Sequence, residues 1–134
     1  MKPRIQSGVV PYRKTDGGLE FCIIRTASGK WGFPKGKVED HLTPKKSALV
    51  EAWEEGGLKG KVRGKELGSF KYIKPKTGRP QIVSMFLMEV KKENSDYLET
   101  NRGKKWLPYS KALKKVKPIQ KPMLVKAYLA IRKI

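Results

Sequence analysis

Three glutamates, Glu51, Glu54 and Glu55, stand at the spacing i, i+3, i+4. On a helix this spacing projects all three carboxylates from one face, while Ala48, Leu49, Ala52 and Trp53 take the opposite, core-facing side. Like charges so placed repel by roughly 0.2–0.5 kcal/mol per pair. They also fall in the last turn, where the macrodipole favours cations, and Lys45 and Lys46 fall in the first, where it favours acids. A helix with its charges reversed at both ends needs compensation, and a hard divalent cation supplies it. Mg²⁺ takes oxygen ligands from a few carboxylates and carbonyls and leaves positions open for water and substrate phosphate. Such an ion activates water and neutralises charge on a leaving phosphate. A solvated acidic face paired with nearby lysines satisfies the same spacing, so the surrounding sequence has to decide.

The elements around the glutamates are legible. Thr43 offers an N-cap and Pro44 a first helical position, while Gly56 and Gly57 offer the left-handed stop, so the carboxylates sit on a helix between two loops. The loop before it carries Trp31, Gly32, Phe33, Pro34, Lys35 and Gly36. Residues 7–13 and 19–26 are rich in β-branched and aromatic types and flank a turn over residues 15–18, which predicts a hairpin. Strand patterning returns over residues 59–72 and 81–90, the latter an apolar run suited to the centre of a sheet, and a short strand is expected over 103–109. Residues 110–116 and 122–134 read as helices, the second with Met123, Leu124, Ala127, Tyr128 and Ile131 on one face. The expected fold is α/β (α+β), a mixed sheet sandwiched between α-helices, forming a single domain over residues 1–134.

Residues 36–58 resemble the signature of the Nudix family: a glycine, a glutamate, an arginine–glutamate pair, then paired glutamates followed by glycine and an aliphatic residue. Gly36, Glu51, Ala52, Glu54, Glu55, Gly57 and Leu58 fall in register, while Leu42 replaces the first glutamate and Val50 the arginine. In the family those two mainly brace the loop and helix, and their joint loss leaves no unpaired buried charge, so an apolar Leu42–Val50 contact is expected instead. The resemblance implies that Glu51 and Glu55 bind Mg²⁺ with the Gly36 carbonyl, that Glu54 is a ligand or the general base, and that Glu51 and Glu54 are the catalytic pair. Mn²⁺ is an alternative occupant. A further acid from Glu93, Asp96 or Glu99 could complete the site. Similarity to the diphosphoinositol polyphosphate and dinucleoside polyphosphate hydrolases extends through residues 7–13, 31–36 and 102–106. It implies cleavage of a diphosphate bond in a highly phosphorylated substrate.

Charge supports such a substrate independently. Lys and Arg total 31 against 12 Asp and Glu, a formal net charge of +19, which creates an electropositive field suited to polyanions. Lys35 and Lys37 flank Gly36, Arg102 and Lys104 match phosphate-binding positions of the resembled branch, and Arg4 and Lys30 complete the expected substrate-binding set. Phe70, Tyr72 and Arg79 surround a turn at residues 76–78 and could stack on a base, but strand aromatics ordinarily cover a sheet, and no adenine pocket is read from them. The competing reading is a binding protein whose weakened site leaves a basic surface gripping RNA or another polyanion. One cysteine, Cys22, excludes an internal disulfide. No apolar run approaches a membrane span and no signal-peptide core is present, so a cytoplasmic setting without membrane contact is expected.

Overall fold

The computed structural model describes residues 1–97 and 100–134, with Asn101 as backbone alone. Strand β1 (Arg4–Thr15) turns at Asp16 and Gly17 into β2 (Gly18–Arg25), with Thr15 opposite Gly18. This is the predicted hairpin. β3 (Trp31–Gly32) and β4 (Lys35–Lys37) lead to helix α1 (Pro44–Gly56). β5 (Leu58–Val62), β6 (Gly68–Ile73) and β7 (Pro80–Glu93) follow, then β8 (Lys104–Pro108), α2 (Tyr109–Lys115) and α3 (Lys121–Ile131).

The sheet is mixed. β7, apolar at its centre, is paired on both edges: parallel to β1 on one, antiparallel to β6 and β5 on the other. β1 and β7 run side by side from Arg4 opposite Gln81 to Tyr12 opposite Glu89. The other edge of β1 is shared between β4 at Gln6–Gly8 and β2 beyond Tyr12. Side chains alternate across the sheet. Val9, Cys22, Phe86 and Met88 bury against Ala48 and Ala52 of α1, whereas Val10, Tyr12, Phe21, Val83 and Met85 bury against Met123, Leu124 and Ala127 of α3 and Ala112 of α2. The sheet therefore lies between α1 and the α2–α3 pair, as expected.

One expectation on α1 needs correction. Trp53 is half-buried and outside both cores, lying under the Lys59 ammonium at 4.6 Å from its ring centroid; Ser47 and Gly56 join Ala48 and Ala52 on the buried side instead. Val50 is 38% exposed and Leu42 half-buried.

Candidate active site

The loop between β3 and α1 is pinned to the sheet by its main chain. The buried Phe33 N–H donates to Gln120 Oε1 at 2.8 Å, and the Pro34 carbonyl accepts from Val9 N–H at 3.0 Å. Gly36 then stands opposite Ser7 of β1. Helix α1 is fixed at both ends. Thr43 Oγ1 accepts from Lys46 N–H at 3.2 Å, and Gly57, at φ 64°, takes the left-handed conformation that closes the last turn, its N–H donating to Trp53 at 3.0 Å.

These constraints bring loop and helix together at the glutamates. The Lys35 N–H donates to Glu55 Oε1 at 3.1 Å. The Glu51 carboxylate packs on Gly36 where a Cβ would stand, so any larger residue there displaces it. Glu54 is half-buried on the same helix. Two carboxylates meeting a main-chain turn form a hard oxygen donor set of the kind Mg²⁺ accepts, and the fully buried Ser7 hydroxyl opposite Gly36 has no hydrogen-bond partner among the described residues. Among the described residues no three His, Cys, Asp or Glu gather closely enough to hold a metal ion by themselves, Glu51, Glu54 and Glu55 included.

Of the suggested additional acids, neither Glu93 nor Asp96 lines the cleft beside Gly36 and Glu55. Glu93 is paired with Arg13 at 3.1 Å and Lys104 at 3.0 Å and accepts from Trp106 Nε1 at 2.9 Å, which holds its carboxyl below the usual range against the upward push of burial. Asp96 is exposed. Glu99 lies outside the described residues.

A cleft of about 580 Å³ opens beside Gly36 and Glu55. Arg4, Lys30, Lys35, Lys37 and Arg102 of the expected substrate-binding set all line it. Lys104 does not: its ammonium donates to the Gly56 carbonyl at 2.8 Å, supplying the cation that the C-terminal turn of α1 lacks. Three further cations, Arg25, Lys74 and Lys117, join the cleft, and Glu55 is its one carboxylate among the described residues. Sequence position does not single them out: Lys117, for one, follows α2 and is tied to the loop by its N–H bond to the Trp31 carbonyl at 3.0 Å.

Phe70 and Tyr72 form one wall, stacked with centroids 6.2 Å apart. Burial alone would push the Tyr72 phenol up, but the hydrogen bond and charge of Lys35 and a hydrogen bond from Gln6 hold it below its ordinary value. Burial also lowers Lys117, and repulsion from Lys35 and Lys30 lowers it further. Cys22, by contrast, is fully buried with its thiol pushed up to about 12, mainly by burial, and is inert packing. No helix among the described residues is long and apolar enough to cross a membrane.

A family model described as the NUDIX domain matches residues 2–127. The chain is 32% identical over 131 residues to the mitochondrial Nudix hydrolase 12 of Arabidopsis thaliana, an alignment covering 82% of this chain and 64% of that protein. It is 28% identical over 103 residues to diphosphoinositol polyphosphate phosphohydrolase 3-beta of Bos taurus, covering 75% of this chain and 62% of that one. The chain thus spans somewhat under two thirds of these relatives. In fold it matches the crystal structure of the C. elegans Ap4A hydrolase with TM-score 0.78 at 21% identity, over 98% of this chain and 99% of that one.

Proposed function

The chain belongs to the Nudix family, and from that premise we propose that it is a metal-dependent pyrophosphohydrolase cleaving a diphosphate bond in a highly phosphorylated small molecule. Diphosphoinositol polyphosphates and dinucleoside polyphosphates are the substrate classes to which its relatives' names point. The observation that carries the reading is the meeting of Glu51 and Glu55 with the Gly36 loop at the mouth of a cleft whose other charged walls are cationic.

A divalent cation, Mg²⁺ or alternatively Mn²⁺, would be held by Glu51, Glu55 and the Gly36 carbonyl; when bound it supplies Lewis-acid polarisation of a phosphoryl oxygen and lowers the pKa of water. The chain does the rest. Glu54 serves as a ligand or takes the proton of the attacking water, and Arg4, Lys30, Lys35, Lys37 and Arg102 orient the phosphates and offset charge that grows on the leaving group. Lys104 acts through the end of α1 rather than on substrate.

The test is phosphate and nucleotide release from inositol pyrophosphates, dinucleoside polyphosphates and ADP-ribose with Mg²⁺ or Mn²⁺, for the wild type beside Glu54→Gln and Glu55→Gln. Turnover by the wild type and its loss in both variants is expected. No turnover on any member, with RNA bound independently of metal, would replace the enzyme by a polyanion-binding protein.

A further inference from the structure

Tyr72 ends a hydrogen-bonded chain whose direction is fixed at both ends. Gln81 Nε2 donates to the Arg79 carbonyl at 3.1 Å, an oxygen that can only accept. Gln81 therefore presents Oε1 to Gln6, whose Nε2 donates to it at 2.7 Å and to the Tyr72 oxygen at 3.1 Å. At the other end the Lys35 ammonium, which can only donate, gives one bond to Gln6 Oε1 at 3.2 Å and another to the Tyr72 oxygen at 3.0 Å. Turning either amide over would set Gln6 nitrogen against the ammonium or Gln81 oxygen against the carbonyl. Both glutamines are over nine-tenths buried, so water does not relax the conflict.

The Tyr72 oxygen thus receives two donors, and its own proton has no acceptor among the described residues. The ring is half-buried and lines the cleft, so that proton points to whatever occupies it. Lys35 and Lys117 supply positive charge alongside. A group that accepts without donating and carries negative charge satisfies all three at once, and a phosphate oxygen does so. The position also sets which phosphate. Lys35 places its main-chain N–H on Glu55 and its ammonium on Tyr72, so the phenol lies a lysine side chain away from the carboxylates.

Resting on the pyrophosphohydrolase reading above, we propose that the Tyr72 hydroxyl is a one-way hydrogen-bond donor to a substrate phosphate other than the one cleaved, and so a specificity-determining residue that selects a substrate carrying further phosphoryl groups.

Tripolyphosphate binding in EDTA, measured calorimetrically, tests this without turnover. Tyr72→Phe keeps the ring and removes the donor, and should bind about 10- to 100-fold more weakly, while Lys65→Ala, remote from the cleft, binds like the wild type. In turnover assays the same variant should raise KM and leave kcat nearly unchanged. Equal affinity of Tyr72→Phe and the wild type overturns the assignment, as does a wild type that does not bind. Should Tyr72→Phe misfold, the tyrosine ¹³Cζ resonances of the wild type serve instead: tripolyphosphate must raise the pKa of the lowest-titrating phenol, and no shift overturns the proposal. Binding that depends on Tyr72 without hydrolysis of any substrate keeps Tyr72 as a phosphate donor but removes the catalytic reading and, with it, the selection of a phosphate other than the one cleaved.

Discussion

At the scale of single residues, the candidate site depends on what Gly36 lacks. A methyl group there would occupy the place of the Glu51 carboxylate, and overpacking of this kind costs about 1–3 kcal/mol. Gly36→Ala should therefore lower the melting temperature modestly yet cut turnover by about 100-fold or more, since displacing a ligand by even an ångström misplaces the chemistry. Equal turnover of this variant and the wild type would show that Glu51 does not act from that loop. Lys117 gives a second prediction with a definite sign. Its folded pKa lies below 10.5, so over the window between the two values the unfolded chain holds a proton that the folded chain has lost, and stability rises with pH there. Tripolyphosphate affinity should fall across the same window as the cleft loses a cation. Lys117→Met, relieved of burying a charge, should melt several degrees higher while binding tripolyphosphate more weakly. The glutamates, Gly36, Lys35 and Lys37 were legible together because they lie in or beside one continuous motif, whereas Arg25, Lys74 and Lys117 were not. Gln6, Tyr72 and Gln81 were not legible as a unit, since their hydrogen bonds join positions 66 and 75 apart in sequence.

At the scale of elements, the caps of α1 were readable from Thr43, Pro44 and Gly57 alone, because each satisfies a local backbone requirement. Thr43→Ala should cost about 1 kcal/mol in a denaturant titration. The reversed charges of the helix were also readable, but their partial remedy was not. Lys104 comes from β8 to cap the Gly56 carbonyl and pair with Glu93, with Tyr97 4.9 Å beneath its ammonium. Sequence position made it resemble a substrate ligand; only the β2–β8 pairing, which sets Ile24 opposite Lys104, shows what it touches. Lys104→Met should destabilise by about 1–2 kcal/mol through the freed carbonyl and the weakened ion pair. Tripolyphosphate affinity should change little, whereas loss of a direct cleft cation such as Lys35 would weaken it markedly. The outcome separates a structural lysine from a substrate-binding one.

At the scale of the whole molecule, a net charge of +19 acts at a distance as well as in the cleft. Screening shortens from about 30 Å at 0.01 M salt to about 10 Å at 0.1 M, so KM for a polyphosphate substrate should rise severalfold or more over that range with kcat unaffected. A salt-independent KM would mean that only the few cations touching substrate matter. The layered architecture was legible from hydrophobic patterning, since the apolar run at residues 81–90 demanded a central place. Its neighbour was not, because nothing local in β1 says that it pairs in parallel with a strand more than seventy residues later. That pairing also governs how the protein comes into being. During synthesis the hairpin and α1 emerge from the ribosome well before β7, and until β7 arrives β1 has an empty edge, Gln6 has no Gln81, and the cleft has no far wall. The site therefore assembles only on closing long loops in the chain, which makes folding slow relative to helical proteins of this size and leaves the nascent N-terminal strands in need of protection from pairing with one another.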